Sequence, residues 1–266
     1  MLNSFLRLLP AASLPFLASA VIAAERGALN NVPEAGNYNL VYSLNIPESP
    51  NYGGGITYNL DLRNYATDIG RVAYYLELQQ TNGPLNYIWV SMDAFTSDPN
   101  QIGVPTLSSG AFFQQPVANM NVFSSVAEIV TGTGLTGGNL EFWPYNYTEP
   151  NAMAVPNASD AAFDWGDTAA TDGNYGCMQI CNTEANQMLF AFNHWGGVSG
   201  IADVGIGSNP NGQPDWTFAN NASTYTVKTL QVFVQPASGN VAPALVGAAG
   251  LTGLTNVVVT FSRALE

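Results

Sequence analysis

The chain has 266 residues, with six Lys and Arg against nineteen Asp and Glu and a formal net charge of −13. Between Arg71 and Lys228 there are thirteen acidic residues and no Lys or Arg. That interval excludes nucleic acid as a partner, because gripping phosphates takes cationic side chains. It also makes polyanionic polysaccharides poor partners unless a bound cation intervenes.

Residues 1–24 read as a secretory signal peptide. Arg7 supplies the positive charge, an apolar run follows, and Ala18, Ser19 and Ala20 or Ile22, Ala23 and Ala24 offer small residues for cleavage. Pro10 and Pro15 argue against a membrane span, and no later stretch reaches the roughly 20 apolar residues a span requires. The expectation is an exported, soluble chain. Without Arg7 its balance is −14, five basic against nineteen acidic residues.

After a loose leader over 25–36, Tyr38, Leu40, Tyr42, Leu44 and Ile46 alternate with polar residues and predict a first strand. Residues 47–55 are a Pro-, Asn- and Gly-rich turn. Ile56, Tyr58, Leu60 and Leu62 predict a second strand, Val72, Tyr74, Leu76 and Leu78 a third, and residues 87–92 a fourth. Prolines at 99, 105 and 116 make 96–121 a long surface loop. Residues 122–130 fit either a strand or a short helix. A glycine-rich turn over 131–138 leads to a strand at 139–143.

In 223–234 the apolar positions change from odd (Tyr225, Val227) to even (Leu230, Val232, Val234) register, which predicts a β-bulge near Lys228 and Thr229. Nine or ten strands without a sustained 3.6 period predict an all-β fold: a two-layer antiparallel β-sandwich, jelly-roll-like, over 25–236. Residues 237–266 form a linker and two short strands.

Most of the candidate site material falls in residues 160–221. Alternating segments at 177–182 and 188–194 lie between loops dense in Gly, Asn, Asp and Pro. Cys177 and Cys181 would stand about 13 Å apart on one strand, beyond the roughly 7 Å a disulfide spans, so two separate thiols are expected. Asp164, Asp167 and Asp172 with Asn174 give hard oxygen ligands on one loop, and Asp203 and Asp215 add more from later loops. These fit a structural Ca²⁺, although EF-hand spacing is absent.

Trp165, Trp195, Trp216 and Tyr175 are candidate sugar-stacking rings, with Asn193 beside them to bond hydroxyls. His194, the sole histidine, is the alternative catalytic residue. No G-x-S-x-G elbow is present, and Gly166, Asp167 and Thr168 are similar to the Gly-Asp-Ser block of SGNH-type esterases except that Thr stands at the nucleophile position. A carboxylate pair for glycoside hydrolysis is a further alternative. Sequons at Asn146, Asn157 and Asn221 mark surface loops.

Seven segments occur in a recognisable order: YYLELQ (74–79), YIWVSMDAFT (87–96), NLEFWPYNY (139–147), GNYGCMQICN (173–182), LFAFNHWGG (189–197), DVGIGSNPNGQPDWTFANN (203–221) and YTVKTLQVFV (225–234). Together they resemble a β-sandwich module of large secreted multidomain bacterial proteins described as sialate O-acetylesterase-like. Residues 237–266 resemble the opening of a bacterial Ig-like module, in which a P-x-L-V strand precedes a V-V-V-T-F-S strand.

The resemblance implies involvement with carbohydrate, as an accessory domain of a multidomain protein. The expectation is therefore a secreted glycan-binding accessory or adhesion module with a polysaccharide or glycan partner. A carbohydrate O-acetylesterase or glycoside hydrolase, and a self-associating surface or fibre subunit, stand as the alternatives.

Overall fold

The computed structural model describes residues 28–48, 56–106, 108–111, 113–143, 175–195, 201–210, 216, 219–239, 245–250 and 257–261. Its strands are β1 (Asn39–Asn45), β2 (Leu60–Asp61), β3 (Arg71–Gln80), β4 (Asn86–Asp93), β5 (Phe113–Pro116), β6 (Met120–Ser124) and β7 (Gly132–Leu135). They continue with β8 (Gly138–Trp143), β9 (Tyr175–Asn182), β10 (Gln187–Trp195), β11 (Asp203–Ile206), β12 (Tyr225–Gln235), β13 (Leu245–Gly250) and β14 (Val257–Phe261). Among the described residues no helix is long and apolar enough to cross a membrane.

The chain divides into two units, Glu34–Val241 and a second made of Met1–Pro33 with Ala242–Glu266. In the second, β13 and β14 pair as an antiparallel hairpin. The first is the two-layer antiparallel sandwich that the strand pattern predicts. One sheet has the order β2-β1-β12-β3-β4-β6-β7 and the other β11-β10-β9-β8-β5.

Alternation builds the core, since successive side chains on a strand point to opposite faces. Val72, Tyr74, Leu76 and Leu78 of β3 and Ile88, Val90 and Met92 of β4 share one buried cluster with Leu140, Phe142, Met178, Ile180, Phe190, Phe192 and Val204 of the five-stranded sheet. Tyr74 meets the edge of Phe142 at 5.7 Å between ring centres. Each fully buried side chain of this kind contributes about 1.5–3 kcal/mol.

The opposite face of the seven-stranded sheet is aromatic at its middle. Trp89 is fully buried and lies 5.2 Å from both Tyr38 and Phe233. Glu34 anchors the entry to the domain there: its Oε1 accepts from Trp89 Nε1 at 2.7 Å and from Ser91 Oγ, and its Oε2 from Asn121 Nδ2 at 2.6 Å.

Several expectations are corrected. The strand predicted over 56–62 shrinks to β2, because Ile56 and Tyr58 pack against the core. Tyr58 stacks on Tyr42 at 4.4 Å, and its hydroxyl accepts the Val104 N–H at 2.7 Å. Residues 96–121 include a strand, β5, paired with β8. The turn at 131–138 contains β7, and the ambiguous 122–130 resolves into the end of β6 followed by a turn. The register shift of β12 against β3 falls between Tyr225 and Val227, ahead of the predicted position.

The sandwich rim is stitched by tyrosine hydroxyls. Tyr42 donates to the Pro99 carbonyl at 2.7 Å and Tyr74 to the Ile102 carbonyl at 2.9 Å. A Cβ at Gly103 would stand 2.4 Å from the Tyr58 hydroxyl, so this close approach requires glycine.

Candidate functional site

The chemistry-bearing residues that the strands bring together lie on the five-stranded sheet, on the face turned away from the shared core. Leu140, Phe142, Met178, Ile180, Phe190 and Phe192 take the core side, so the intervening positions take the other. Glu141 of β8 stands opposite Gln179 of β9, Gln179 opposite Ala191 of β10, and Ala191 opposite Gly205 of β11. One step along, Asn193 stands between Cys177 and Asp203. Directly opposed side chains in antiparallel strands have Cβ atoms about 4.5–5.5 Å apart, within reach of one another.

This face carries polar groups that are nonetheless buried. Glu141, Gln179 and Asp203 are each 1% exposed and Asn193 is 3% exposed. Burying a carboxylate is costly unless hydrogen bonds hold its charge. Glu141 accepts from Asn139 Nδ2 at 2.9 Å and from Gln179 Nε2 at 3.0 Å, bonds strengthened by the acceptor's charge. Asp203 accepts the backbone N–H of Asn220, a residue at φ +51°. The result is a stepped row of buried polar groups: Asn139, Glu141 and Gln179 on β8 and β9, then Asn193 and Asp203 one step along on β10 and β11.

Trp216 sits beside that row. Its indole packs on Cys181, Met188 and Ala191, remains partly exposed, and donates from Nε1 to the Gly207 carbonyl at 2.8 Å. A Cβ on Gly205 would lie 1.8 Å from Trp216 Cε2. The missing side chain at 205 is what lets the ring lie flat against the sheet. Asn221 closes the outer edge of β11. Its Oδ1 accepts the Val204 N–H and its Nδ2 donates to the Val204 carbonyl, both at 2.8 Å, so the amide stands in for a further strand.

Of the residues predicted from sequence, Asn193 and Trp216 belong to this face. Tyr175 and Trp195 are placed as backbone positions, paired with each other at one end of the β9–β10 ladder two residues beyond Cys177 and Asn193. His194 pairs with Gly176. Trp165, Asp164, Asp167, Asp172, Asn174 and Asp215 lie outside the described residues.

Cys181 carries a buried thiol whose Sγ is 3.9 Å from the Asn139 carbonyl. The β8–β9 pairing runs without a shift from Cys177 to Cys181. The backbone is therefore extended between them, keeping the two cysteines about 13 Å apart. Among the described residues no three His, Cys, Asp or Glu side chains stand together as a metal centre.

No family model, characterised protein or solved structure matches this chain.

Sequence reasoning missed Asn139, Glu141 and Gln179. Their signal was present: Asn-Leu-Glu-Phe in β8 and Met-Gln-Ile in β9 place amides and a carboxylate in alternation with core residues on adjacent strands. Polar residues in that pattern read as ordinary solvent-facing positions, and only the burial sets them apart.

Proposed function

We propose that this protein is a secreted carbohydrate-binding module, accessory or adhesive in role, that takes glycans on the outer face of its five-stranded sheet. One observation carries the reading: a partly exposed indole, Trp216, laid against Gly205 beside the buried row of Asn139, Glu141, Gln179, Asn193 and Asp203. Sugar recognition calls for such a ring, since its face covers the CH patch of a pyranose, and the buried polar groups behind it hold the strands that carry it. At 1% exposure Glu141 and Gln179 serve as a positioning layer, holding the face in register. Ligand contact falls to Trp216 and to the predicted aromatics Trp165, Trp195 and Tyr175.

The reading includes a structural calcium on Asp164, Asp167, Asp172, Asn174 and Asp215. A chelator should lower Tm and added calcium restore it, while an unchanged Tm removes the ion from the account.

A glycan array compares the wild type with Trp216→Ala. Loss of about tenfold or more in affinity is expected, the usual scale for truncating a central aromatic anchor. Equal binding by both proteins contradicts the reading. Turnover of an acetylated chromogenic ester, abolished in His194→Ala, would replace it with the esterase alternative.

A further inference from the structure

We infer that the ligand is an uncharged saccharide, and that sialylated, uronic and sulfated glycans are rejected. The inference rests on the glycan-binding proposal and concerns the class of sugar. Binding a carboxylate or sulfate takes a guanidinium or ammonium with donors to spare.

Every strand of the five-stranded sheet, from Phe113 to Ile206, comes from the interval between Arg71 and Lys228, which holds thirteen acids and no Lys or Arg. Two of those acids, Glu141 and Asp203, are buried on the very face in question. An approaching anion therefore meets like charge in surroundings that screen it weakly.

The cations elsewhere in the described structure do not supply the want. Arg63 gives Nε and one terminal nitrogen to Asp61 and the other terminal nitrogen to Asn100 Oδ1 at 2.9 Å. Arg71 directs its donors to Asp93 at 2.6 Å, the Asn119 carbonyl at 2.7 Å, the Tyr38 hydroxyl at 3.0 Å and Ser91 Oγ at 3.2 Å. Lys228 donates to the Tyr225 carbonyl at 3.0 Å and lies 4.0 Å from Glu48. Each of the three already has an acidic partner within 4.0 Å. A neutral sugar, by contrast, needs no cation and finds the partly exposed Trp216 ring to stack on.

The test uses matched ligand pairs on the full chain: lactose against sialyllactose, and glucose-terminated against glucuronate-terminated oligosaccharides. Calorimetry is run at low and high salt, with calcium and with chelator. The neutral member of a pair should bind, and its acidic counterpart should bind weaker by about tenfold or more at low salt. That gap should persist at high salt, because charges buried at 1% exposure are screened much less than exposed ones.

Acidic members bound as well as or better than neutral ones overturn this inference and leave the glycan reading standing. Acidic binding that appears only with calcium overturns it too, since the ion would then bridge the anion. Binding of neither member in any pair overturns the glycan reading and this inference with it.

Discussion

The indole of Trp216 occupies the space that any side chain at position 205 would fill, with Cε2 1.8 Å from where a Cβ would stand. The two positions are eleven apart in sequence, yet each explains the other: the glycine in β11 leaves the room in which the ring lies on the sheet. Gly205→Ala should lever Trp216 off Cys181, Met188 and Ala191 and break its bond to the Gly207 carbonyl. The expected cost is about 1–3 kcal/mol, as for other overpacked sites, with red-shifted tryptophan emission. An unshifted spectrum and unchanged Tm would mean that the ring does not depend on the glycine.

Glu34 ties the domain entry to the aromatic face of the seven-stranded sheet through Trp89, Ser91 and Asn121. Glu34→Ala leaves three donors without their acceptor, two of them on fully buried residues, and should cost about 2–4 kcal/mol by chemical denaturation. Glu34→Gln keeps one accepting oxygen and should cost less. Equal losses for the two variants would show that space-filling, not hydrogen bonding, is what Glu34 supplies.

Alkaline stability follows from the buried tyrosines. Burial pushes Tyr42 up to about 12 and raises Tyr58, Tyr74 and Tyr75 as well. A phenol whose folded pKa is raised contributes stability that is full below its unfolded value of about 10, and lost as pH rises through the folded value. Unfolding should therefore set in above pH 10, and the tyrosinate absorbance should rise cooperatively with loss of near-ultraviolet circular dichroism. Smooth titration of all twelve tyrosines near pH 10 in the folded protein would contradict the packing described.

At acid pH the sign reverses for Asp61. The Arg63 side chain beside it holds its carboxyl below the ordinary range. The pair's contribution is present above about pH 3.9 and is lost as pH falls through the lowered value. Arg63→Gln should return the Asp61 resonance to a normal titration by nuclear magnetic resonance. The cost in Tm should be small, because the pair is exposed.

Asn221 satisfies both backbone groups of Val204 on the outer edge of β11. Asn221→Ala should cost about 1–3 kcal/mol and open that edge to pairing between molecules. Sedimentation velocity should then show stronger concentration-dependent self-association than the wild type. A variant that sediments like the wild type, with unchanged Tm, would show that the edge is protected some other way.

Much of the sandwich was legible in the sequence because its long strands separate apolar from polar residues cleanly, as in Val72, Tyr74, Leu76 and Leu78. The shorter strands were not. β5 is Phe-Gln-Gln-Pro and β7 is Gly-Thr-Gly-Leu, and neither alternates over enough residues to be told from a loop. Residues 56–62 misled in the other direction, since their alternation packs Ile56 and Tyr58 into the rim with almost no strand pairing. Within the candidate site, Trp216 and Asn193 stood out by residue type. Glu141 and Gln179 did not, because burial of a polar strand position depends on what covers it, which no local pattern encodes.

The central claim, that glycan sits on the outer face of the five-stranded sheet at Trp216, is tested most directly by hydrogen–deuterium exchange with and without a saturating neutral oligosaccharide. The account predicts slowed exchange in β10, β11 and residues 216–221, with the β3–β4 hairpin unchanged. Protection confined to the seven-stranded sheet, or none anywhere despite measurable binding, would contradict it.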